Sequence, residues 1–209
     1  MSEFLTRPAG NTPEELQDKT DIQELLYFER YCRDNALWDE MRKCYAPDSV
    51  VDISWYRGSG AGFVDASSKM GGFAPHRIHG AMTWVNGLRA VTVMPATLEI
   101  RREVEGTLCE LFSDIQLHFC TEKRSGQWFI TRFESIYEKD RLVPVLPGAK
   151  PEINSSELKK YRKSYACMSY TAEINGIIDD QNLAGLDRPE TVDSLRQRLK
   201  SWLKEGSAL

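Results

Sequence analysis

No run of apolar residues in this 209-residue chain approaches the roughly 18–20 needed to span a bilayer. Neither charge sign dominates: 27 Lys and Arg stand against 31 Asp and Glu, a formal net charge of −4 with both signs interspersed. A nucleic-acid groove needs a basic stripe, and the sequence has none. Histidine is scarce, with residues at 76, 79 and 118 only, and the HxH, HExxH and 2-His-1-carboxylate spacings of metal centres are missing. The five cysteines are odd in number and form no CxxC, which fits buried reduced thiols better than a disulfide frame or a zinc site. Gly58-Ser-Gly-Ala-Gly62 opens neither a GK[ST] helix nor a dinucleotide-binding turn, and no GxSxG elbow occurs. Hence neither a metal nor a cofactor is expected. The opening residues lack the apolar core of a signal peptide, so a cytoplasmic location is expected.

What is present is the composition of a globular protein, 41% hydrophobic and 28% charged, long enough for one domain with an appendage. Residues 1–15, with Pro8, Gly10 and Pro13, read as a mobile arm. Thr12-Pro-Glu-Glu15 is a helix start, with Thr12 as N-cap, proline at the first helical position and acids in the first turn. Ile22, Leu25, Leu26, Tyr27, Cys32 and Leu37 continue at roughly helical spacing, broken near Asn35 and followed by a short helix from Leu37 to Tyr45. A strand over 50–56, a short helix over 63–70, and strands over 80–85, 89–103, 107–122 and 127–137 follow, with Asn86-Gly87 as a hairpin signal. This order predicts an α+β fold: helices covering one face of a curved, antiparallel sheet. Residues 142–154 read as a proline-rich connector, and 155–209 as a helical C-terminal extension whose apolar residues dock on the core or on a second subunit.

Two polar groups stand out in apolar surroundings. Asp34 follows Tyr27 and Tyr31 by seven and three residues, which places the three on neighbouring helical positions. A carboxylate on a tyrosine-rich face is costly to bury without a partner; its alternative is a solvated acid at a helix end. His79 stands where a Gly- and Pro-rich loop enters a strand, the kind of edge that holds catalytic groups, although a lone strand histidine also serves as an ordinary core residue. His118 shares its strand face with Glu110, Asp114 and Gln116, so it either lines a wet pocket or faces solvent; His76 reads as an exposed loop residue. Tyr31, Trp55, Tyr56 and Arg132 complete the candidates, as hydrogen-bond donors, stacking surface or an anion holder, each with a plain core or surface role as its alternative.

Asp21-Ile-Gln-Glu-Leu-Leu26, Asp34-Asn-Ala-Leu-Trp38 and Cys44-Tyr-Ala-Pro-Asp48-Ser-Val-Val resemble the opening of a SnoaL-like domain, and Ser125-Gly-Gln-Trp128 suits the turn before its last strand. The resemblance covers about residues 16–141. It implies membership of the nuclear-transport-factor-2-like superfamily, an α+β cone whose catalytic branches include dehydratases, a dehydrochlorinase and ketosteroid isomerase. In the dehydratase and dehydrochlorinase branches an aspartate at the position of Asp34 holds a histidine at the position of His79, and the histidine abstracts a proton. Ketosteroid isomerase instead uses an aspartate base with a neutral oxyanion donor. Tyr31 is the nearest match to the family's helix tyrosine; the arginine of the dehydrochlorinase-type site has no clear counterpart.

The combined expectation is a cofactor-independent lyase, dehydratase-like, or an isomerase. Asp34, His79 and Tyr31 would be catalytic, and Tyr27, Trp55, Tyr56, His118 and Arg132 would bind a small hydrophobic, cyclic or polyketide-like substrate of secondary metabolism. The resemblance implies a homodimer or higher homo-oligomer. The alternative is a non-catalytic small-molecule-binding or dimerisation module of the same fold. An epoxide hydrolase relay would need Arg101 and Asp114 at a spacing they do not have.

Overall fold

A computed structural model describes residues 3–8, 12–70, 74–153 and 155–205. The chain opens with α1 (Pro13–Asp34) and α2 (Trp38–Lys43), then runs through β1 (Tyr45–Ile53), β2 (Tyr56–Ser59), α3 (Gly60–Lys69), β3 (His76–Ile78), β4 (Met82–Asn86), β5 (Arg89–Val104), β6 (Thr107–Arg124) and β7 (Gln127–Pro144). It closes with α4 (Ser155–Leu158), α5 (Ala166–Ile174) and α6 (Pro189–Glu205). Thr12 caps α1 as its sequence implies, its hydroxyl accepting from the Glu15 N–H at 3.1 Å. Asn35 ends the helix, and Ser59 caps α3 from within the glycine-rich turn.

The strands order as β2-β1-β7-β6-β5-β3, with β4 also on β5, so the sheet is curved and unclosed. Pairing is antiparallel except between β1 and β7, which run parallel. The α+β cone expected from the sequence is therefore the observed fold. Strand alternation sends successive side chains to opposite faces. Leu111, Ile115, Leu117 and Phe119 of β6 face the concave side with Ile22, Leu26, Phe63 and Phe133. Phe119 and Phe133 are cross-strand partners whose rings stack at 4.5 Å. Burying each such side chain contributes about 1.5–3 kcal/mol.

The other face is not open. Val91, Val93, Cys120 and Ile136 lie beneath Leu195, Leu199 and Leu203 of α6. Phe4 joins this second core edge-on to Trp84, whose indole N–H donates to the Thr6 carbonyl at 2.7 Å. The described part of the N-terminal arm is thus docked, because a large aromatic residue finds an apolar seat there. β1 begins at Tyr45, not at Val50, and β7 continues through Leu142-Val-Pro144 against Leu111 and Cys109. Proline ends that strand but does not prevent its start. The long helix expected after Ser155 is broken into α4 and α5, joined through Arg162, whose guanidinium pairs with Asp187 and donates to the Gln181 and Leu183 carbonyls.

Candidate active site

Between the sheet and its helical cover lies a cavity of about 650 Å³, within the span usual for small-molecule sites. Its walls are largely apolar, with Trp55, Phe63, Leu98, Ile115, Leu117 and Phe133 prominent. The C-terminal segment closes part of it through Met168, Ala172, Ile177 and Asp179.

Asp34, the last residue of α1, meets the first residue of β3. Its Oδ1 is 2.8 Å from His76 Nδ1, and its Oδ2 accepts the His76 backbone N–H at 2.8 Å. Both side chains are largely buried, 13% and 9% exposed. Burial pushes the Asp34 carboxyl up, but the hydrogen bonds and charge of His76 outweigh it and hold the group below its ordinary range. Burial likewise pulls the His76 imidazole below its usual value; Asp34 opposes this and the Arg30 charge adds to it. At neutral pH the pair is therefore a carboxylate and a neutral imidazole. The carboxylate fixes the proton on Nδ1, and His76 lines the cavity with Nε2 free of hydrogen bonds among the described residues.

The partner of Asp34 is thus His76 and not His79. Parity in β3 is the reason: His76 and Ile78 turn inward, so His79 turns out. There its Nε2 lies 2.9 Å from Thr97 Oγ1, which donates onward to Asp114 at 2.8 Å. Tyr31 is 58% exposed and Tyr27 39% exposed, both turned away from the cavity. His118 is buried beneath α6, with Nδ1 3.0 Å from the Gln116 carbonyl, and burial lowers its pKa to about 4. Arg132 lies on that same outer face, near Glu134 at 3.8 Å. Tyr56 spends its hydroxyl on the Ser59 carbonyl at 3.0 Å and supports Trp55 and Phe63 from behind. Of the expected binding residues, Trp55 alone lines the cavity.

Groups not anticipated complete the walls. Arg30 is buried with its Nε and Nη2 on the Glu29 carboxylate, and its guanidinium sits 4.9 Å from the Phe133 ring centroid. Tyr45 donates to the same carboxylate at 2.9 Å. The Tyr137 hydroxyl accepts the Ser54 N–H at 2.9 Å, leaving its own proton unassigned. Asp179 is 6% exposed, accepts from Ser169 Oγ at 3.2 Å, and is pushed up to about 6 by burial. Among the described residues, no three His, Cys, Asp or Glu side chains converge to hold a metal ion. No described helix is long and apolar enough to cross a membrane.

Glu29 and Arg33 carried a signal that was legible. With Ile22 and Leu26 they follow a 4, 3, 4 spacing, the inward stripe of an amphipathic helix, so charged groups stand where apolar ones belong.

Residues 14–134 match the model of the SnoaL-like domain. Pea pathogenicity protein 2 of Fusarium vanettenii is 30% identical over 93% of this chain and 90% of its own length. The chain belongs to the SnoaL-like family. An uncharacterised protein from Emericella nidulans is 31% identical over 95% of the chain and 93% of its own length. Among solved structures, a hexachlorocyclohexane dehydrochlorinase of type 2 superposes with a TM-score of 0.55 at 13% identity, covering 66% of this chain and 97% of its own. A candidate scytalone dehydratase of Novosphingobium aromaticivorans gives 0.50 at 15% identity, covering 65% and 97%. These likenesses establish the SnoaL-like fold. Tyr137, on β7, and Asp179, in the C-terminal segment, lie beyond residues 14–134 that the family model matches.

Proposed function

We propose that this SnoaL-like protein is an acid–base lyase, dehydratase-like, acting on a small hydrophobic cyclic substrate, with His76 as the base. The observation that carries the reading is the doubly bonded Asp34–His76 pair opening on an apolar cavity. His76 Nε2 takes a proton from a carbon next to an electron-withdrawing group. The imidazolium that forms is stabilised by Asp34, as in other carboxylate–histidine pairs. Tyr137 and the neutral form of Asp179 are placed on the same cavity to donate to a departing hydroxyl or a developing enolate. The pair of carbon deprotonation and hydroxide loss, with one proton taken and one given, releases water. Returning the proton to another carbon would give isomerisation instead.

The named activities of the structural neighbours, a dehydrochlorinase and a candidate dehydratase, support elimination chemistry on this fold. A purely structural cone is disfavoured because the cavity is not filled by the chain's own aromatic residues: Trp84 packs on the other side of the sheet. The test is carbon-bound proton exchange in D₂O, followed by NMR for a panel of cyclic β-hydroxy ketones, alongside the rise of enone absorbance. Wild-type protein should catalyse exchange or water loss on a member of the panel, and His76→Ala should lower that rate by about 10²–10⁴-fold. An unchanged rate in His76→Ala would refute the role of this residue.

A further inference from the structure

Five cationic side chains reach the cavity, and three are already engaged. Arg30 is held by Glu29, Arg101 by Glu110 at 3.1 Å, and Arg102 donates to the Thr171 carbonyl at 3.0 Å beside Asp179. Lys69 stands exposed at the end of α3. Arg33 differs from all of these. It occupies the inward stripe of α1, one turn beyond Glu29 and one residue before Asp34, and it lines the cavity. Among the described residues its guanidinium has neither a hydrogen bond nor an ion pair. The acids that could have balanced it are spent: Asp34 on His76, and Glu29 on Arg30 and Tyr45. Burial and the neighbouring Arg30 charge lower the Arg33 pKa and outweigh the opposing charges of Asp34 and Glu29. A half-buried guanidinium without an anion carries a desolvation cost, and a planar fork of N–H donors suits a carboxylate in two-point contact.

We infer that the substrate of this cavity carries a carboxylate, received by Arg33 while its ring rests on the apolar wall. The inference deepens the proposed function by naming a substrate class, and it rests on the same cavity. It also has chemical sense there: a carboxylate anchored one residue from Asp34 would orient the ring relative to the His76 imidazole.

Benzoate and its neutral isostere benzamide are the probes, titrated calorimetrically into the full-length protein at neutral pH. Benzoate is expected to bind about 10–100-fold more tightly than benzamide, the range set by a charge-assisted hydrogen bond. Arg33→Gln should remove that preference while leaving benzamide affinity within about threefold, and Arg33→Lys should restore part of it. A thermal melt confirms that each variant is folded. Equal binding of the two probes, no benzoate binding into the millimolar range, or a preference that survives in Arg33→Gln would overturn the inference. His76→Gln should leave benzoate binding intact. Loss of the His76 role with an Arg33-dependent preference retained would overturn the proposed reaction and uphold the anion site.

Discussion

Replacing Asp179 with asparagine should flatten a pH dependence of stability that the wild-type chain carries. Asp179 is 6% exposed, and burial raises its pKa from 3.8 to about 6. In the unfolded chain the carboxyl returns to its ordinary range. Below 3.8 both states hold the proton, and the group contributes no slope. Between 3.8 and about 6 the folded state keeps a proton that the unfolded state has released, so stability falls as pH rises. The fall totals roughly 3 kcal/mol, from about two pKa units at 1.36 kcal/mol each, and is complete above the folded value. Asparagine keeps an oxygen that can accept from Ser169 and carries no proton to lose. The assay is urea unfolding of both proteins at half-unit steps from pH 4 to pH 8. The variant should gain on the wild type by up to about 3 kcal/mol across that range. Asp140 is also pushed up to about 6 by burial, but it is common to both proteins and cancels in the difference. A difference that stays flat, or that favours the wild type as pH rises, would show that Asp179 is not a neutral donor in the cavity near pH 6.

Glu29→Gln should destabilise the fold by about 3–5 kcal/mol, since it strands the buried Arg30 charge between aromatic rings; denaturant unfolding reads this directly. Gly60→Ala should cost about 1–3 kcal/mol, because its methyl would meet Ser49 Oγ and lie 2.5 Å from Tyr45 Cδ1; a thermal melt measures the loss. If turnover is found, kcat/KM should rise with pH through an apparent pKa below 6.5, since the base must be unprotonated and burial depresses it; it levels off by neutrality if Tyr137 is the donor and falls again above about pH 6 if neutral Asp179 is. Asp34→Asn, which removes the main group opposing that depression, should move the inflection lower still. Tyr31→Phe and His79→Ala should leave the rate within about twofold, because both side chains face away from the cavity; larger losses would restore the sequence-based assignment.

Local chemistry made the helix starts and turns legible. Thr12, Pro13 and the first-turn acids mark α1, and Gly106 and Gly126 sit at positive φ in the two strand turns. Asp34 was legible through its spacing to Trp38. Its partner was not, because β3 is only three residues long and a period of two cannot be read from so short a strand. One step of parity separates a buried His76 from an exposed His79. His118 misled for a different reason. Its strand face is polar in sequence, yet it is covered by α6, whose arrival across some 70 residues of chain no local pattern encodes. The same holds for Asp179, which becomes a wall group only because the C-terminal segment folds back over the cone.

Long-range ¹H–¹⁵N NMR of the three histidine rings in the full-length protein reaches the Asp34–His76 pair without needing a substrate. At pH 7 the His76 ring should be neutral, with its proton on Nδ1 and a bare Nε2, and Asp34→Asn should weaken that preference. An imidazolium at pH 7, or a His76 ring carrying its proton on Nε2, would contradict a base held by Asp34.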